Sequence, residues 1–255
     1  MSKKITAESL RKFNAIMVPI FGLQALAMWL LAKKFTLPVS VSYLTFNRLT
    51  QSLEPATKVI YNLPLAWLII GFLLMSMTAH LIISTIWYPK YKKDLSKGMN
   101  RARWIEYSVS ASTMIVAIAM LVGIYDLGSL IMLFSLVAVM NLCGLVMEIH
   151  NQTTQKTKWI SYIVGCIAGI VPWVVIGLSF WASSAYGSGQ IPTFVYWIYV
   201  SIFIFFNCFA LNMFLQYKKW GPWKNYLFGE RVYIILSLVA KSALAWQVFA
   251  GTLRP

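Results

Sequence analysis

Seven apolar stretches, each long enough to cross a bilayer core, recur along this 255-residue chain and leave little room for any fold but one. They cover residues 13–31, 63–87, 104–124, 128–149, 160–182, 194–216 and 232–250. A span takes about 20 residues, because a helix rises about 1.5 Å per residue through hydrocarbon about 30 Å thick. In lipid every backbone polar group must bond within the protein, so stretches of this length become helices. Composition agrees: 59% of the residues are hydrophobic and 11% charged, which excludes a water-soluble domain. The predicted architecture is an all-α membrane protein, a seven-transmembrane-helix bundle forming one domain over residues 1–255. Its first stretch follows Lys3, Lys4, Arg11 and Lys12 as a signal peptide would, but its length and the Lys33-Lys34 pair beyond it favour a retained helix. Cys143, Cys166 and Cys208 fall inside apolar runs, where packing explains them better than disulfide pairing.

The net charge of +15 invites a nucleic-acid partner. The basic residues lie in short loops between apolar runs, however, so anionic lipid headgroups are the better match and no nucleic acid is expected. Sixteen Lys and Arg collect on the side that holds the N-terminus and five on the other. The positive-inside rule then predicts a multi-pass protein of the cell membrane with a cytoplasmic N-terminus and an extracellular C-terminus.

The long exterior connection, residues 32–62, alternates Leu37, Val39, Val41 and Tyr43 with Pro38, Ser40 and Ser42, a period of two that predicts a strand. Residues 56–61 are its expected partner in a small β-hairpin. An isolated hairpin is marginal in water, so it should pack on the helix ends or on a second copy of the chain. An unstructured loop is the alternative.

Polar residues inside the spans carry the functional signal. Lys241 sits in the middle of the last stretch, about nine residues from either end and too far to snorkel to an interface. A charged lysine at the bilayer centre costs about 2.5–3.5 kcal/mol on insertion scales. A buried amine is also the group that desolvation makes nucleophilic toward an aldehyde, forming a Schiff base. Of the seven acids, only Glu106 lies well within a span. Glu8, Glu54, Asp94 and Glu230 read as loop residues, Asp126 and Glu148 as span ends. Glu106, Ser110 and Thr113 fall at i, i+4 and i+7, one polar stripe. Ser237, four residues before Lys241, adds a hydroxyl on the lysine's face. His80 is the one membrane-embedded histidine, either a packing residue or a proton carrier. The aromatics Phe203, Phe205, Phe206, Phe209, Trp173 and Trp246 suit the walls of a flat apolar cofactor, although such spacing also serves ordinary core packing.

Seven helices with a lysine midway along the last resemble the microbial rhodopsins. The chain is similar to the heliorhodopsin family in particular, through RWIEYSVS at 103–110, GCIAGIVPW at 165–173, FFNCFAL at 205–211 and YLFGERVYIILSLVAKSALAWQ at 226–247. An inverted topology with a cytoplasmic N-terminus also marks that family. The resemblance implies all-trans retinal joined covalently to Lys241, Glu106 as its counterion and Ser237 beside the Schiff base. It further implies Ser110, Met114, Phe206 and Trp246 around the retinal, a proton network of His80, Tyr107 and Asn100, and a homodimer with a sheet in its first exterior loop. The family often has a second buried histidine in its first helix. Phe21 falls at that place here, leaving His80 and water to take up the Schiff-base proton.

The expected function is a light-sensing retinal photoreceptor, with no enzymatic activity and no metal, whose basic cytoplasmic loops suit a signalling partner or lipid. The alternative is a light-gated or light-driven proton transporter. Pumping is disfavoured because Ser237 stands where pumps have a second acid, and Ala117 where they have a reprotonating carboxylate.

Overall fold

A computed structural model describes residues 5–187 and 191–254. The chain forms α1 (Ala7–Leu31), a hairpin of β1 (Thr36–Asn47) and β2 (Ser52–Pro64), α2 (Leu65–Ser84), α3 (Tyr88–Ser96), α4 (Arg101–Leu121), α5 (Leu127–His150), α6 (Ile160–Tyr186), α7 (Thr193–Lys218) and α8 (Tyr226–Val248). A wider π turn, Phe249–Leu253, extends α8. Among the described residues, seven helices are long and apolar enough to cross a membrane, all of them except the nine-residue α3. The seven expected spans are therefore present.

Local chemistry sets the helix starts. Thr6 and Ser9 cap α1 reciprocally, each side chain accepting from the other's backbone N–H. Asn100 accepts from Arg103 N at the head of α4, and Asn225 from Leu227 N at the head of α8. Asp126 caps α5, and the Ser129 backbone N–H it accepts holds its carboxyl below the usual carboxylate range. The helix α3 was not anticipated. Pro89 favours its first turn, and Tyr91 and Leu95, one turn apart, bury a short apolar face.

α1 packs on α2, α2 on α4, α4 on α5, α5 on α6, α7 on α8 and α8 on α1. Aromatic contacts close the ring between α6 and α7, where Trp173 meets Tyr199, Phe203 and Phe206 edge to face. The central helix is α4: 61% of its spanning window is buried, against 22–44% for the others. Outward-facing Trp29, Trp67, Trp181 and Trp197 are exposed on the surface, where lipid covers them.

The hairpin is longer than its alternation suggested. β1 and β2 pair antiparallel from Thr36↔Pro64 to Asn47↔Ser52, with a bulge at Val39/Ser40. The expected partner segment falls inside β2. The sheet is tied to the bundle where Ser40 N donates to Tyr125 O at 2.9 Å and where Leu37 and Val39 are buried.

Candidate functional site

Lys241 and Glu106 meet in the middle of the bundle. Lys241 Nζ lies 2.6 Å from Glu106 Oε1, 2.5 Å from Ser76 Oγ and 3.2 Å from Ser237 Oγ. Ser76 donates in turn to Glu106 Oε1 at 2.7 Å. The face of the Tyr107 ring lies 5.2 Å from the ammonium, close enough for a cation–π attraction. A protonated lysine has three N–H donors, and these three oxygens match that number. The Lys241 and Glu106 side chains are 4% and 10% exposed, so the pair is tenable only because each charge has its partner.

One turn along α2 from Ser76, His80 Nδ1 lies 2.7 Å from Asn14 Oδ1. Asn14 Nδ2 is spent on Leu10 O at 2.8 Å, so its Oδ1 must accept and the imidazole proton sits on Nδ1. Phe21 stacks on the His80 ring at 5.5 Å and has its centroid 6.0 Å from Lys241 Nζ. The Phe21 ring thus neighbours both the lysine and His80.

On its other side the lysine opens onto a cavity of about 40 Å³ lined by Tyr107, Ser110, Met114, Phe206, Phe209 and Ser237, with other residues. Met140, Asn141, Phe206 and Phe209 also wall an adjoining cavity of about 120 Å³ that runs among α5, α6 and α7 to Trp173. Close helix approach shapes this track. A Cβ at Gly144 would lie 2.5 Å from the Trp104 ring, and one at Gly169 would strike Met140 Sδ.

Of the residues expected at the site, Lys241, Glu106, Ser237, Ser110, Met114, Tyr107 and Phe206 therefore share one region, with His80 beside it. Two do not. Trp246 is 39% exposed and points to α1, donating to Gln24 Oε1 at 3.1 Å. Asn100 lies in a separate cluster at the N-terminal end of α4, where its Nδ2 donates to Glu230 Oε2 at 2.8 Å and its backbone N to Glu148 Oε2 at 2.8 Å. Those two acids are not peripheral, as their sequence positions suggested. Each is 1% exposed, and both pair with buried Arg103: Glu148 at 2.5 Å, Glu230 in direct contact.

Phe209, one of the aromatics suited to a cofactor wall, does line the cavity, whereas sequence reasoning missed Ser76, Asn14 and Met140. Ser76 was within reach, since it stands four residues before His80 and so on the same helical face. The others become visible only when helices distant in sequence pack together.

A seven-helix membrane bundle whose last helix presents a buried lysine to an embedded carboxylate, at the mouth of an elongated apolar cavity, defines the class of the retinal-binding rhodopsins. The chain belongs to the heliorhodopsin family, whose sequence model matches residues 10–253. Comparison with curated proteins finds no match. Heliorhodopsins are light-sensing proteins that bind retinal. The residues present fit such a molecule, offering an amine for an aldehyde at one end of a long track and aromatic and methionine side chains along it.

Proposed function

We propose that this protein is a photoreceptor in which all-trans retinal is held covalently on Lys241, and that it signals rather than pumps. The observation that carries the reading is the placement of Lys241 Nζ against Glu106, Ser76 and Ser237 at the opening of the apolar track. Retinal would supply light absorption and isomerisation about a double bond. Glu106 keeps a positive charge on the lysine nitrogen, as a nearby anion favours the charged form. Ser76, Ser237 and Tyr107 complete the polar end, Ser110 adds a hydroxyl to the wall, and Met114, Phe206 and Phe209 exclude water along the apolar part. His80, its proton fixed on Nδ1 by Asn14, is the group placed to exchange a proton with waters on the α1–α2 side.

The charge asymmetry supports a cytoplasmic N-terminus and an extracellular hairpin. The hairpin supports a homodimer. Leu44, Phe46 and Leu53 share one of its faces and are 64%, 54% and 63% exposed, more apolar surface than a free ribbon keeps in water. The basic cytoplasmic loops suit an acidic signalling partner or the lipid surface. A visible spectrum tests the chromophore: the purified protein with added retinal should become coloured and Lys241→Ala should not. A covalent coloured adduct in Lys241→Ala would overturn the assignment.

A further inference from the structure

On the basic face of the molecule, a cleft of about 340 Å³ opens between the α5–α6 loop, the α7–α8 turn and Gly98 just past the end of α3. Lys97, Lys219 and Lys224 line it together with amide and hydroxyl side chains such as Gln152, Gln155 and Thr157, and no carboxylate faces it. Among the described residues, none of these lysines pairs with an acid. On the same face Lys90 covers the Trp87 ring at 4.1 Å and Lys218 lies over Trp159 and Phe214, so lysines there do find partners when some are in reach.

The walls are built rather than incidental. Asn151 ties the α5–α6 loop down, accepting from Lys158 N at 2.7 Å and Thr154 Oγ1 at 3.0 Å. Lys219 and Gly98 stand at left-handed backbone positions, φ 51° and 70°, which turn the chain sharply at two of its edges. Like charges held around a concave, donor-rich surface repel one another, and an anion seated among them removes that cost. We infer that this cleft is a binding site for a multiply charged phosphate, carried by a soluble molecule or by a lipid headgroup.

Tyr226 connects the site to the interior. It forms part of the cleft lining, and its hydroxyl donates to Glu148 Oε1 at 3.0 Å. Glu148 pairs with Arg103, whose guanidinium lies 3.9 Å from the centroid of the Tyr233 ring. Tyr107 in turn donates to Tyr233 O at 3.0 Å, and its ring faces Lys241. The contacts are contiguous from the cleft to the lysine. Binding in the cleft therefore biases the environment of the chromophore, and by linkage light changes the affinity for the anion. This second part rests on the assignment of retinal to Lys241; the first does not.

Calorimetric titration of the purified protein with inorganic pyrophosphate tests the site in the dark, whether or not retinal is bound. Saturable binding is expected, weakened at least about tenfold in Lys97→Gln/Lys224→Gln and in Lys219→Asn, which tolerates the left-handed backbone. The pair Lys90→Gln/Lys92→Gln, outside the cleft, should bind as the parent does. No saturable binding, or equal loss in the outside pair, overturns the site. Repeating the titration in phosphatidylcholine nanodiscs with and without phosphatidylinositol bisphosphate identifies the source. Binding blocked by that lipid assigns the cleft to headgroups, and binding unchanged by it assigns a soluble phosphate. For the coupling, pyrophosphate should shift the visible spectrum or the photocycle rate of the parent protein and leave Tyr226→Phe unmoved while still binding to it. Binding with no optical effect in the parent overturns the coupling alone.

Discussion

Ser76 bridges the two charged ends of the buried pair, accepting from Lys241 and donating to Glu106. When the amine condenses with an aldehyde and keeps a proton, it retains one N–H of three, so one oxygen must take it and the others must find new roles. Glu106 carries the full charge and is the expected acceptor, with Ser76 turned fully toward the carboxylate. Glu106→Gln should then lower the pKa of the chromophore linkage or move its absorption to longer wavelength, read by titrating the visible spectrum. Ser76→Ala should do the same more weakly, because it removes one hydrogen bond to the carboxylate and leaves the charge. An unchanged spectrum and titration in Glu106→Gln would assign the counterion elsewhere, with bound chloride next in line. His80 poses a separate question. If it handles protons, His80→Ala should change the photocycle kinetics, and Asn14→Leu should change them in the same direction by freeing the ring. Parent kinetics in both variants would leave His80 a packing residue beneath Phe21. Lys241, Glu106 and Ser237 were legible in the sequence because charge in an apolar span stands out. Ser76 was within reach through its spacing to His80, whereas Asn14 was not, since its importance lies in a partner on another helix.

At the level of elements, helix placement followed from apolar length, and the hairpin from its period of two. The short α3 escaped notice because its nine residues carry lysines at Lys90, Lys92 and Lys93, and of its apolar side chains Tyr91 and Leu95 alone are buried while Tyr88 packs at the margin. The ends of α5 and α8 misled for a different physical reason. Glu148 and Glu230 sit where spans meet loops, which reads as solvent, yet Arg103 on α4 draws both inward. Removing such an arginine would leave two carboxylates buried without compensation, a cost of about 3–5 kcal/mol. The hairpin raises the prediction that belongs to this scale. With Leu44 and Leu53 exposed on one of its faces, Leu44→Ser/Leu53→Ser should convert the proposed dimer to a monomer while leaving the bundle's visible spectrum unchanged. Mass photometry in detergent reads this directly; a parent protein that is already monomeric, or a variant that stays dimeric, would remove the hairpin from the interface.

For the molecule as a whole, the question is whether light moves ions. A pump must release a proton to one side and recover it from the other, which takes titratable groups set in order across the membrane. The polar core here is instead concentrated. Lys241, Glu106, Ser76 and Ser237 form one hydrogen-bonded cluster with His80 a turn away from Ser76, and Arg103, Glu148 and Glu230 form another toward the N-terminal end of α4. Between the two, on α4, come Tyr107 and the Trp104 ring, which stacks against the Arg103 guanidinium at 4.6 Å. Ala117, at the place of a reprotonating carboxylate, is fully buried among apolar neighbours and offers no proton site. The proposal that the protein signals therefore predicts light-induced spectral change without net transport. Liposomes containing the protein and retinal should show no sustained pH change under illumination, with or without a protonophore. A sustained, protonophore-sensitive change would establish pumping. Photocurrents that reverse with voltage would instead mean that waters bridge the two polar clusters, making the same bundle a light-gated conductor.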